Sequence, residues 1–184
     1  MTGERAGRRT WGASVVATVL SAYALDLIAT ATGVALAATG LLAGLAQGWL
    51  LALLVVSYAA WGLGLWANVR ANSALLATTG VSTNVISKAG YDLARRLSGG
   101  ARAQRWAAAT GYVGTEVVKE APYYLGAFGV AVATEPISSD QALIFLAGAN
   151  LGAMVYEYGL ARLTHRFLRH RRHRASTAGP RRRC

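Results

Sequence analysis

The most restrictive feature of this chain is the stretch from Trp11 to Asn68, in which Asp26 is the only charged side chain. A core helix of a soluble protein does not need so long an uncharged sequence. The hydrocarbon core of a bilayer is about 30 Å thick and requires roughly 20 apolar residues for each helix that crosses it. The stretch therefore predicts two membrane-spanning helices joined by a short turn. Composition agrees, since 54% of the 184 residues are hydrophobic and 15% are charged.

The same criterion predicts four spans in all. They are placed at about residues 13–35, 49–68, 106–133 and 141–160. Residues 1–12 form a basic N-terminal tail, 69–105 a loop, and 166–184 a basic tail predicted to be disordered, so that 13–165 is the transmembrane domain. The predicted fold class is all-α, a polytopic integral membrane protein with four transmembrane helices and an amphipathic helix in the loop.

The distribution of basic residues predicts the topology. All but one of the 19 Lys and Arg residues lie before the first span, between the second and third, or after the last. Short Lys/Arg-rich segments are retained in the cytoplasm, so both termini are predicted to be cytoplasmic. A cleaved signal peptide ending at Ala22-Tyr23-Ala24 is the alternative, but the apolar character continues well past Ala24. The Ala-, Gly- and Arg-rich composition favours a multi-pass protein of the bacterial cytoplasmic (inner) membrane.

The loop and the C-terminal tail are the predicted membrane-surface segments. Apolar residues recur at helical spacing from Val85 to Leu97, with basic residues opposite. Such a helix suits the lipid interface or packs against the cytoplasmic ends of the bundle. Contacts with anionic headgroups are predicted for Lys88, Arg95, Arg96, Arg169, Arg171 and Arg172.

Other ligands have less support in the sequence. The arginine-rich tail can contact phosphates, but no aromatic residues are interleaved with it, which argues against a nucleic-acid partner. His165, His170 and His173 lie among arginines that would repel a cation, so no metal is expected. No catalytic or dinucleotide-binding motif is present, and no cofactor is predicted. The lone Cys184 excludes an intrachain disulfide.

The candidate functional residues are the polar ones inside the spans. Asp26 in the first span and Asn150 in the fourth lie near mid-depth. Glu116, Lys119 and Glu120 share one face of the third span, because they are three and four residues apart. A charged group at the bilayer centre costs about 2.5 to 3.5 kcal/mol on insertion scales, so such groups need partners or water.

Three classes of function follow from these residues. They can line a path for protons, small ions or a small polar solute. They can instead form a structural network in an accessory or scaffold subunit, or serve an intramembrane lipid-modifying enzyme. Small-residue faces for helix packing, within the chain or between copies, are predicted at Gly40, Gly44, Gly48, Gly148 and Gly152. Four such helices enclose little volume, so a homo-oligomer or a larger membrane complex is expected.

Overall fold

The computed structural model of this chain is all-helical over the residues it describes, which are 2–97, 99–134 and 138–177. Side chains are described for 5–97, 99–118 and 138–174. The helices are α1 (Thr2–Ala38), α2 (Gln47–Thr79), α3 (Val85–Arg96), α4 (Ala101–Thr134) and α5 (Ser139–Thr177). The all-α prediction is confirmed.

Three helices within the described ranges, α1, α2 and α5, are long and apolar enough to cross a membrane. The predicted third span lies in α4, which is not among these three and which carries Glu116, Lys119 and Glu120 near its middle. The three helices differ in burial. In the most apolar 18-residue segment of each helix, 56% of the residues are buried in α5 but only 11% in α1. Thus α5 is the central helix, and α1 presents most of its apolar surface outward.

A close contact joins α5 to α1. A Cβ atom on Gly148 would lie 2.9 Å from Gly33 Cα, and one on Gly152 would lie 2.7 Å from Thr32 Oγ1. Any larger residue at either position would push the two backbones apart. Further along α5, the Tyr156 hydroxyl donates to another residue of α1, Ser21, at 2.8 Å. The two helices are therefore antiparallel.

The other predicted packing glycines behave differently. Gly40 and Gly44 lie in the turn between α1 and α2 with φ angles of 63° and 83°, a conformation that glycine adopts without a Cβ clash. Gly48 lies in the first turn of α2. A Cβ on any of the three would meet nothing within 4 Å. Within this chain these glycines shape a turn and do not form the predicted packing face.

Helix α3 packs antiparallel on the start of α4. Asn84 caps its N-terminus, because the side chain accepts hydrogen bonds from the backbone N–H groups of Ile86 and Ser87 at 3.0 Å. A Cβ on Gly90 would lie 2.8 Å from Ala107 O, so α3 and α4 approach closely here. The apolar residues Ile86, Leu93 and Leu97 point outward and are exposed.

Both basic terminal segments are helical where the structure describes them. Helix α1 begins at Thr2, and α5 continues to Thr177. The prediction of a disordered tail from residue 166 is therefore wrong for 166–177, while 178–184 lie outside the described residues. Local sequence explains the difference, because residues 166–177 contain no glycine or proline to end a helix that is already formed.

Candidate functional site

The centre of the candidate site is the side chain of Asn68, near the end of α2. Its Nδ2 group donates to the Tyr112 hydroxyl of α4 at 2.7 Å and also to the Glu157 carboxylate of α5. Asn68 and Glu157 each retain only 1% of their exposed surface, and Tyr112 retains 2%. One amide group thus joins three helices inside the bundle. We call these residues, together with Glu116, the carboxylate cluster.

Glu116 is the second acidic residue of the carboxylate cluster. It lies one helical turn beyond Tyr112 on α4 and is 3% exposed. Both Glu116 and Glu157 interact electrostatically with the Tyr112 hydroxyl. Two carboxyl groups therefore lie around one phenol in a part of the protein from which water is largely excluded.

A second set of polar side chains adjoins this cluster at the same end of the bundle. Asn72 lies one turn after Asn68 and is 2% exposed. Its Oδ1 atom accepts from the Ser82 hydroxyl at 2.8 Å and from the Thr83 backbone N–H at 3.0 Å, and its Nδ2 group donates to Ser87 Oγ at 3.0 Å. Asn72 therefore ties the α2–α3 connection to α3. Thr83 is also a hydrogen-bonding neighbour of Tyr112, which links the two sets.

Lys88 was predicted to contact lipid headgroups, but the structure places it elsewhere. It is 2% exposed and lies inside the protein. Its Nζ atom donates to Gly80 O at 2.9 Å, forms an ion pair with Asp92 at 3.0 Å, and lies 5.1 Å from the centre of the Trp11 ring. Lys88 thus binds the carbonyl end of α2, where cations are favoured. The other predicted headgroup contacts, at Arg95, Arg96, Arg169, Arg171 and Arg172, are exposed.

Deeper in the bundle, Asn150 of α5 is 3% exposed and donates to Ser57 Oγ of α2 at 3.2 Å. Ser57 thus belongs to the same face of α2 as Asn68 and Asn72. At 100° per residue the three side chains fall within an arc of about 60°, and they extend over about 22 Å along the axis. The buried Trp61 lies between Ser57 and Asn68 on this face. The polar residues Ser57, Asn68 and Asn72 thus follow the buried side of α2, interrupted by Trp61, and we call these three residues the polar line.

Asp26 does not join these residues. It lies on an exposed face of α1, beside Tyr23 and Leu27, which are 74% and 72% exposed. Its position along α1 follows from the sequence, but the direction of the side chain depends on how α1 packs against α5. Lys119 and Glu120 lie within α4, and their side chains are outside the described residues. Of the five predicted path residues, the structure therefore buries Glu116 and Asn150 in the bundle.

Four polar residues of the site were not predicted from sequence: Ser57, Asn68, Asn72 and Tyr112. The pair Asn68 and Asn72 carried a signal, because two amides four residues apart share a helix face at the end of a long apolar stretch. Glu157 was not predicted either, and the structure buries it against Asn68, while the Arg162 guanidinium lies 5.5 Å from the Tyr158 ring centre.

Comparison with known proteins finds no matching family model, curated protein or solved structure. In the described part of the chain, no group of three or more His, Cys, Asp or Glu residues is arranged to hold a metal ion. The three histidines lie exposed on α5. The chemistry on which a function can be argued is therefore that of the carboxylate cluster and its polar neighbours.

Proposed function

We propose that this chain is a small membrane transport protein that passes protons through its helix bundle, with Glu116 and Glu157 as the groups that take up and release them. The observation that carries the proposal is the burial of both carboxyl groups around Tyr112. Ionisable groups inside membrane bundles are costly and characteristically mark proton or ion pathways. A carboxyl group can accept a proton and release it again, which is the chemistry that a proton pathway requires.

The polar line on α2 supports a route on both sides of this cluster. Toward the predicted cytoplasmic end, Asn72 and Thr83 continue the polar contacts to the α2–α3 connection. Toward the other end, the Ser57–Asn150 pair lies about 16 Å from Asn68 along α2. The carboxylate cluster is closely packed, since Asn68, Tyr112 and Glu157 are each at most 2% exposed, which favours a proton over a hydrated ion or a larger solute.

A fourth crossing by α4 is part of the proposal. Near the end of α2, Asn68 contacts Tyr112 close to the start of α4, whereas the start of α5 lies by the end of α1, as the Gly148–Gly33 contact indicates. Only residues 135–138 connect α4 to α5, and four residues reach roughly 17 Å at most. These contacts support an α4 that runs the length of the bundle. With four crossings, the charge distribution favours two cytoplasmic termini. The Ala-, Gly- and Arg-rich composition favours a bacterial cytoplasmic membrane.

The test is proton flux into proteoliposomes that contain a pH-sensitive dye, driven by a potassium diffusion potential. We expect Glu116→Gln and Glu157→Gln each to lower the flux at least tenfold, because the amide keeps the shape but cannot exchange a proton. Asp140→Asn is the matched control, since it removes an exposed carboxylate at the start of α5. Thermal unfolding shows whether each variant is folded. Undiminished flux in the folded double variant, or no flux with the unaltered protein, would refute the proposal.

A second function, as a subunit of a larger membrane assembly, is favoured by the exposed face of α1. The Asp26 carboxylate lies there among apolar side chains, about 20 Å along the predicted first span. A carboxylate facing lipid at this depth is strongly disfavoured unless a cation meets it. The partner that fits is a transmembrane helix of another polypeptide with a Lys or Arg at the same level.

A photo-crosslinking residue at Leu27 tests this second function in native membranes. We expect a discrete adduct with another polypeptide that Asp26→Asn abolishes. The same probe at Val56, which is 64% exposed on α2, is the control and should give no adduct of that size. Crosslinks to lipid alone at Leu27, or an adduct unchanged by Asp26→Asn, would refute the idea.

A further inference from the structure

A groove lies between the last part of α2 and the start of α4, away from the carboxylate cluster. Its volume is about 510 Å³. Arginine and tryptophan side chains form its polar and aromatic walls, and small residues contribute much of the remaining surface. The walls are Trp66, Arg70, Arg102, Arg105 and Trp106, and the small residues are Ser73, Ala74, Ala77 and Ala109.

A tryptophan and an arginine four residues apart line the groove from each helix, in opposite order along the chain. On α2, Trp66 precedes Arg70 by four residues, and on α4, Arg102 precedes Trp106 by four. Residues at this spacing lie on one face, about 6 Å apart along the axis. Because the start of α4 lies by the end of α2, Trp66 and Trp106 both lie nearer the middle of the bundle. Arg70 and Arg102 both lie nearer the end of the bundle formed by the end of α2 and the start of α4. Indole rings favour the level where headgroups meet hydrocarbon.

The positive charges in the groove are complementary to an anion. Arg70, Arg102 and Arg105 are all exposed, and the described residues that line the groove include no Asp or Glu. Three guanidinium groups around one depression repel each other unless a negative group lies between them. Guanidinium forms paired hydrogen bonds with phosphate oxygens, which makes arginine well suited to phosphate recognition.

We propose that this groove binds the headgroup of one anionic phospholipid. The phosphate lies between the three arginines, and the glycerol lies beside the two indoles. The acyl chains follow the alanine-rich surface toward the hydrocarbon. A free phosphate ion would use the arginines but gain nothing from Trp66 and Trp106, which are 58% and 63% exposed. The site is independent of proton transport, and basic pockets between transmembrane helices are known to select such lipids.

The experiment measures lipid binding to the delipidated protein in detergent by native mass spectrometry. The probes are phosphatidylglycerol, phosphatidylcholine with the same acyl chains, and inorganic phosphate as a competitor. We expect one phosphatidylglycerol to bind at least tenfold more tightly than phosphatidylcholine. The variant Arg70→Gln/Arg102→Gln/Arg105→Gln should lose this preference. The single variant Arg102→Gln, at one exposed position, should weaken it severalfold.

The matched control is Arg5→Gln/Arg9→Gln/Arg166→Gln, which removes the same charge from exposed positions outside the groove and outside the predicted headgroup contacts. It should keep the preference. Three results would overturn the proposal. They are equal binding of the two lipids, an equal loss in the control variant, and displacement of phosphatidylglycerol by an equimolar amount of inorganic phosphate, which would indicate a simple anion site.

Discussion

The carboxamide of Asn68 holds side chains of α4 and α5 against α2. Asn68→Leu keeps a similar volume but leaves the Tyr112 hydroxyl and the Glu157 carboxylate without their donor in a buried site. Hydrogen bonds inside membrane proteins contribute about 0.6 to 2 kcal/mol each, so we expect the free energy of unfolding to fall by about 1 to 3 kcal/mol. Equilibrium unfolding in mixed micelles measures the change.

Thr78→Val is the control for this substitution. The Thr78 hydroxyl is exposed and donates to Ala74 O within its own helix at 2.7 Å. We expect the control to change the unfolding free energy by less than about 0.5 kcal/mol. Equal losses in the two variants would mean that Asn68 does not hold the helices together.

Lys88 gives a second prediction for a single residue. Lys88→Met keeps an unbranched apolar stem but leaves Gly80 O and Asp92 without the ammonium group in a mostly buried site. We expect a loss of about 1 to 3 kcal/mol and faster proteolysis of the segment around α3. Arg95→Met changes an exposed residue of the same helix and should affect neither measurement. If both variants resist protease like the unaltered protein, the interior placement of Lys88 is wrong.

Glu116 and Lys88 mark the limit of prediction from sequence. The burial of Glu116 follows from its position within an apolar segment. The burial of Lys88 does not, because its partners Gly80 and Trp11 are brought to it by α2 and α1. A short amphipathic pattern defines two faces but does not decide which one meets the bundle.

At the scale of the helices, the contact between α1 and α5 depends on the absence of side chains. In Gly148→Ala the new methyl group meets Gly33 Cα at 2.9 Å and Thr32 O at 3.0 Å, and both are backbone atoms that cannot turn aside. We expect a loss of about 1 to 3 kcal/mol, measured by unfolding in micelles. Gly159→Ala is the control in the same helix, where a Cβ meets nothing within 4 Å.

The control should instead be neutral or gain up to about 1 kcal/mol, because alanine favours the helix over glycine. A Gly148→Ala variant as stable as Gly159→Ala would show that the two helices are not in close contact.

The helices also show what sequence periodicity determines. The amphipathic pattern predicted a helix from Val85 to Leu97, and α3 occupies Val85–Arg96. Its capping residue is Asn84, whose side chain brings an acceptor to the first backbone N–H groups. The length of α5 was not predictable from hydropathy, since an arginine-rich segment continues a helix as well as it forms a tail.

At the scale of the whole molecule, the proposed crossing by α4 predicts that the α1–α2 turn and the α4–α5 connection lie on the same side. Single cysteines at Ala43 and Ser138, in a Cys184→Ser background, report on this with an impermeant maleimide on sealed vesicles. We expect both to react from the same side, opposite to a cysteine at Arg174. Reaction of Ala43→Cys and Ser138→Cys from opposite sides would mean that α4 does not cross.

The length of α5 has a further consequence. Its 39 residues make a rod about 58 Å long, nearly twice the thickness of the hydrocarbon core. For a helix along the membrane normal, about 28 Å of it therefore extends beyond the hydrocarbon core, with Arg166 and Arg169 exposed along it. The rise of the helix therefore sets how far its last described basic side chains, Arg172 and Arg174, lie from the hydrocarbon core.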